Sequence, residues 1–134
     1  DPAYRLVVEG AVDRRLELSL DDLRALPQRE AELPIACVEG WSASARWRGV
    51  PVRDLLARAG AAANAEATVE SLQASGRYRT AYVNADQAAD RDTLLAVDLD
   101  GEPLHVDHGF PVRLIGPNRP GVLQTKWVSK LVVH

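Results

Sequence analysis

A single cysteine, Cys37, stands in this chain of 134 residues, and one thiol excludes an internal disulfide framework. Aromatic residues make up only 5% of the sequence, so Val, Leu and Ala must supply most of any core. No apolar run approaches the roughly 18 residues that a membrane-crossing helix needs, and no stretch has the pattern of a signal peptide. These 134 residues therefore read as soluble. There is no strong excess of one charge either. Sixteen basic residues face nineteen acidic ones, for a net charge of -3. That balance gives no support to a nucleic-acid-binding or polybasic membrane surface. No GxGxxG opens a helix, and no P-loop or HExxH occurs, so nucleotide and zinc-protease readings lack support.

What is present is enough to fold. The chain is 46% hydrophobic and its length suits one domain with a real core, so residues 1–134 are expected to form a single domain. The abrupt start at "DPAYRLVVEG", almost directly on a strand-like pattern, suggests a domain cut from a longer polypeptide. "YRLVVEG" and "RRLELSL" read as a hairpin around Gly10 to Asp13. "SLDDLRALP" reads as a short helix with Ser19 as N-cap, Asp21 and Asp22 in its first turn, and Pro27 closing it. "ELPIACVEG" is a strand ending at Cys37. "VPVRDLLARAG" places Val52, Leu55, Leu56 and Ala59 on one helical face and stops at Gly60. "TVESLQ", "RTAYV", "TLLAVDL", "FPVRLIGP" and "WVSKLVVH" read as further strands, and "NADQAADRD" as a helical turn. Many short strands with few short helices predict an α+β fold with mixed or antiparallel sheets.

On the residues alone, Cys37 could fill a core, form half of an intermolecular disulfide, act as a nucleophile or ligate a metal. His105 and His108 lie three apart in a Pro/Gly-rich loop, with no second cysteine to complete a zinc tetrad. A Cys/His hydrolase would need His108 as base and an Asn or Asp to orient it. The segment "DHGFPVRLIGPNRPGVLQTKWVSKLVV" is more informative. It sets His108, Arg113, Arg119 and Lys126 among Gly109, Gly116 and Gly121 and prolines at 111, 117 and 120. Gly and Pro fix a backbone that approaches a ligand closely, and Arg and Lys supply the charge that a phosphate or pyrophosphate needs. An anion site follows, with Cys37 elsewhere in the fold as a soft donor suited to a thiophilic metal.

The ordered set Cys37, Trp47 with Gly49, Asp107-His108-Gly109-Phe110-Pro111-Val112-Arg113 and Lys126-Trp127 resembles the molybdopterin-binding oxidoreductase domain of the sulfite oxidase superfamily. The likeness runs from about Tyr4 to Val133. It implies that fold, and a molybdenum-molybdopterin cofactor with Cys37 as the thiolate on the metal after a strand end, followed by a tryptophan-glycine turn. It also implies that His108 and Arg113 contact the pterin and its phosphate, that Lys126 is the matching lysine of the last strand, and that Tyr78 takes the place of the active-site tyrosine. The context "CVEGWS" is similar to the bacterial periplasmic sulfoxide-reductase branch. Expected chemistry is oxo transfer on a small S- or N-oxide or a sulfite-like substrate. A haem or membrane electron-transfer partner, perhaps in the same full-length chain, and an extracytoplasmic location also follow from the resemblance.

Two departures from the family pattern stand out. Members usually carry an Arg/Asn-His segment before the first hairpin that closes over the pterin, and residues 1–134 hold no counterpart. Where sulfite oxidases place a Gly-Ala-Arg run before Lys-Trp, the sequence reads "GVLQTKW", which makes the pocket less basic. These departures motivate the alternative of a cofactor-free structural or binding domain that retains the fold. Trp41, Trp47 and Trp127 are expected as core or pocket-wall packing.

Overall fold

The hydrophobic alternation of the first twenty residues builds β1 (Leu6–Gly10) and β2 (Leu16–Leu18), paired antiparallel with Leu6 opposite Leu18. In the computed structural model, residues 3–36, 42–72, 80–117 and 125–134 are described. The helix α1 (Leu20–Ala25) opens on a capping box: Asp22 N donates to Ser19 Oγ at 3.0 Å, and Ser19 N donates to the Asp22 carboxylate at 2.9 Å. Two otherwise unsatisfied backbone donors are thereby paired. The chain continues through β3 (Arg29–Ala36), β4 (Ser42–Pro51), α2 (Val52–Ala59), β5 (Ala67–Ser71), β6 (Thr80–Val83) and α3 (Ala85–Ala89). It then forms β7 (Leu94–Leu99), β8 (Glu102–Pro103), a 3-10 turn (Val106–His108), β9 (Arg113–Ile115) and β10 (Val128–Val133).

The strands form two sheets. The first has the order β2-β1-β10-β5-β6 and is mixed, because β1 and β10 run parallel with Val7 opposite Lys130. The second runs β3-β4-β7-β8 and is antiparallel throughout, with β9 also pairing to β7. The architecture is the α+β arrangement of mixed and antiparallel sheets with short helices that the sequence pattern predicts.

Strand β7 explains how the core is divided. Side chains alternate across a strand, and Leu95 and Val97 join a large cluster with Leu6, Val8, Leu55 and Leu131. Leu94 and Ala96 join a smaller one with Leu33, Ala45, Trp47, Leu104 and Ile115. Buried on both faces, "LLAVDL" is continuously apolar up to Asp98, which accepts an ion pair from Arg24 of α1 at 3.0 Å. The same alternation governs β9: Leu114 enters the large cluster, while Ile115 packs in the small one. Arg113, two residues before Ile115, is therefore committed to the face of the small cluster.

The tryptophan-glycine turn implied by the resemblance is not a turn. Trp47 and Gly49 both lie inside β4. The register passes from Arg48 opposite Asp98 to Gly49 opposite Ala96, so Val97 is an extra residue on β7. This bulge brings the β7 backbone against Gly49. A Cβ there would overlap the Leu95 carbonyl oxygen and lie 2.6 Å from Ala96 Cα. Neither is the movable end of a side chain. Gly49→Ala is accordingly expected to destabilise the fold by about 1–3 kcal/mol, the usual cost of overpacking, seen as a lower denaturant midpoint. Wild-type stability in that variant would contradict the assigned bulge.

Candidate functional site

The loop between β8 and β9 folds back on itself through short backbone bonds. His108 N and Phe110 N both donate to the His105 carbonyl, at 2.9 and 3.1 Å, and Gly109 N donates to Val106 at 3.1 Å. Gly109 takes φ 109, a region that side-chain-bearing residues rarely enter. A Cβ on it would stand 3.0 Å from Arg113 Cβ and 3.2 Å from Lys126 Cβ. The glycine is thus the spacer between two cationic side chains, one from β9 and one from the segment that leads into β10.

Arg113 is only 3% exposed. Its guanidinium lies 5.0 Å from the centroid of the buried Trp47 ring, and Nη1 reaches the His108 carbonyl at 3.4 Å. Lys126 is half-buried and its Nζ donates to the Asp107 carbonyl at 2.8 Å. That carbonyl is neutral, and no carboxylate among the described residues forms an ion pair with Lys126. Burial pushes the Arg113 guanidinium down to about 10, which leaves it a full cation at neutral pH. The Lys126 ammonium is held below its ordinary value, first by burial and then by repulsion from Arg113, with Asp107 acting in the opposite direction.

Trp127 sets the direction of Lys126. It adopts φ 55, a strained conformation for a bulky residue, and three hydrogen bonds hold it there. Its N–H donates to Gly109 at 3.3 Å, its carbonyl accepts from Leu72 N at 2.7 Å, and its indole Nε1 donates to Val106 at 2.9 Å. Ser71 adds a fourth tie by donating from Oγ to the Lys126 carbonyl at 2.7 Å. The chain is bent so that Lys126 reaches over the 105–109 loop. Strained residues cluster at functional sites because only a supporting framework keeps them.

Of the residues singled out in sequence, Arg113 and Lys126 are brought together around Gly109. His108 shares their loop, and its side chain is exposed. Asp107 lies 4.0 Å from His105 Nδ1 instead of supporting His108. Strand β3 ends at Ala36, the residue before Cys37. Cys37, Tyr78, Trp41 and Arg119 themselves lie outside the described residues. Among the described residues no group of three or more His, Cys, Asp or Glu is placed to hold a metal ion, so that part of the chain builds no all-protein metal cage. Sequence reasoning missed the pairing of Trp47 with Arg113 and the roles of Ser71 and Trp127. Nothing local in the sequence marks a contact between residues 66 positions apart, and nothing in the pattern marks a positive φ at a tryptophan.

A buried guanidinium and a half-buried ammonium stand on either side of one glycine, a pairing of charges of the kind that suits an oxyanion. The chain belongs to the oxidoreductase molybdopterin-binding domain family, whose pattern matches residues 1–134. It is 34% identical over 131 residues to a putative protein-methionine-sulfoxide reductase subunit, YedZ1, of Azospira oryzae, covering 98% of this chain and 49% of that protein. It is 33% identical over 162 aligned positions to the mitochondrial sulfite oxidase of Homo sapiens, covering 100% of this chain and 30% of that one. The sulfane dehydrogenase SoxCD of Paracoccus pantotrophus superposes with a TM-score of 0.88 at 26% identity, over 99% of this chain and 38% of the SoxCD chain. The chain therefore spans less than half the length of each of these relatives. Molybdopterin is the cofactor of the family, and the two cations Arg113 and Lys126 suit its phosphate-bearing end in charge.

A pH dependence follows from Lys126. Its folded value lies below the unfolded 10.5, so charging it opposes folding. Stability from this group is gained as pH rises from the depressed value towards 10.5, because the unfolded chain then binds more protons. A bound oxyanion reverses the preference by favouring the charged form. Inorganic sulfate, which does not titrate in this range, is expected to raise the thermal midpoint near neutral pH and to lose that effect as Lys126 deprotonates. Lys126→Met should show a small effect throughout. A sulfate effect that stays constant up to the ordinary lysine value would contradict the assignment.

Proposed function

We propose that this chain is the molybdopterin-binding domain of a longer oxidoreductase, in which Arg113, Lys126 and His108 hold the pterin and its phosphate and Cys37 is the thiolate ligand. The observation that carries this reading is the buried Arg113 guanidinium set beside the Lys126 ammonium across Gly109. When bound, the molybdenum cofactor supplies two-electron oxo transfer between water and a small substrate.

The chain's own residues bind and orient. Arg113 is buried, and its guanidinium is the kind of planar group that pairs with a phosphate. Lys126 adds a second charge, and its bond to the Asp107 carbonyl is one that an anion can replace. A metal-bound thiol is deprotonated, which makes Cys37 a fixed ligand and not a free nucleophile. Tyr78 is the proposed substrate-side hydroxyl. The sulfur compounds named for the methionine-sulfoxide, sulfite and sulfane relatives favour an S-oxide or sulfite-like substrate. A haem or membrane-bound electron partner and an extracytoplasmic location belong to the same proposal. The hydrolase alternative gains nothing from the geometry, because Asp107 faces His105.

Elemental analysis of the full-length protein, produced in a host with an intact cofactor pathway, tests the reading. Stoichiometric molybdenum is expected, with molybdenum-dependent turnover lost in Cys37→Ser. Arg113→Met should weaken cofactor retention by roughly 10- to 100-fold, the equivalent of one charge-assisted hydrogen bond. No molybdenum in the wild type would overturn the proposal and leave the cofactor-free binding fold as the better account.

A further inference from the structure

The consecutive carbonyls of residues 105–109 all accept hydrogen bonds. His105 accepts from His108 N and Phe110 N, at 2.9 and 3.1 Å. The carbonyls of Asp107 and His108 are met by the two cations, Lys126 Nζ at 2.8 Å and Arg113 Nη1 at 3.4 Å. Those of Val106 and Gly109 are met by one residue, Trp127, through indole Nε1 at 2.9 Å and its backbone N–H at 3.3 Å. Among the described residues, Trp127 alone closes the loop from outside with both side chain and backbone.

Trp127 is itself pinned. The peptide groups on either side of its Cα are bonded at every polar atom. Ser71 Oγ donates to the Lys126 carbonyl at 2.7 Å, and Trp127 N–H donates to Gly109. On the other side, Leu72 N donates to the Trp127 carbonyl at 2.7 Å, and Val128 N donates to the Val112 carbonyl at 2.8 Å. Two flanking peptide planes define φ and ψ, so the φ of 55 is imposed from both sides. Such strain persists only where the surroundings over-determine it. The Lys126 ammonium lies 6.0 Å from the centroid of the same indole ring.

We propose that Trp127 is a positioning residue of the candidate site: it joins the loop that carries His108 to the segment that carries Lys126, so that neither moves without the other. The indole bond and the ammonium bond close the loop on neighbouring carbonyls, Val106 and Asp107. Breaking the first therefore loosens the second. The inference rests on the cofactor-binding reading of His108 and Lys126 for its purpose, while the joint itself is a property of the chain.

Amide hydrogen exchange and the titration of Lys126 Nζ, both followed by NMR on wild type, Trp127→Phe and Lys126→Met, test the joint. Phenylalanine keeps an aromatic ring and removes the indole donor. In Trp127→Phe the His108, Gly109 and Phe110 amides are expected to exchange roughly 3- to 10-fold faster, the fold-change that one ordinary hydrogen bond represents, while the amides of β7 stay protected. The Lys126 ammonium, held low by burial and by Arg113, should titrate nearer its ordinary value once the loop releases it. In Lys126→Met the three loop amides should stay protected, because the indole bond remains. Wild-type exchange and titration in Trp127→Phe overturn the proposal. Equal acceleration throughout the protein also overturns it, as a general packing effect, and so does a loop that opens in Lys126→Met with the indole bond intact. In the molybdenum-loaded full-length protein, Trp127→Phe should retain cofactor roughly 3- to 10-fold less tightly. A wild type without molybdenum would overturn the cofactor reading alone, since exchange and titration decide the joint without it.

Discussion

Burying a guanidinium costs several kcal/mol unless charge and hydrogen bonds are returned to it. Arg113 is almost wholly buried, on a face otherwise built of Leu, Ala, Ile, Trp and Phe110. Much of the local architecture follows from accommodating that charge. The indole of Trp47 lies under it, the His108 carbonyl faces Nη1, and Gly109, lacking a Cβ, lets the Arg113 and Lys126 side chains approach it closely. A second cation, Lys126, is then brought alongside by the strained Trp127 and tied down by Ser71. Two like charges brought together in a partly dry site raise the energy of the empty protein. An oxyanion lowers it again.

The position of β9 makes this possible. It is short, it pairs with a strand buried on both faces, and it turns one residue into each cluster. An arginine at its start therefore enters the interior and does not hang in solvent. The bulge at Val97 is part of the same solution, because it draws β4 and β7 together at Gly49 and fixes the height at which Trp47 meets Arg113.

The elements were largely legible in the sequence, because each is short and its signal is local. The Ser19 cap and the Val52–Ala59 face are set by residues within a few positions of one another. Periodicity also gave the apolar run of β7. The site was legible as a set of residue types, and the family resemblance put Arg113 and Lys126 in one place. What could not be read was depth. An arginine in "PVRLI" is equally compatible with a solvated strand end, and only the pairing of β9 with β7 decides that it is buried. The tryptophan-glycine segment was misread as a turn for a related reason: Gly49 serves a close approach between strands, which depends on a partner far off in sequence.

The charge pair around Gly109 is the proposed seat of the cofactor's phosphate. An experimental structure of the molybdenum-loaded full-length protein tests it most directly, by locating that phosphate. The account predicts phosphate oxygens within hydrogen-bonding distance of both the Arg113 guanidinium and Lys126 Nζ, with the Lys126 bond to the Asp107 carbonyl released or shared. A phosphate seated elsewhere, with Lys126 still on that carbonyl and no ligand beside Gly109, would contradict it.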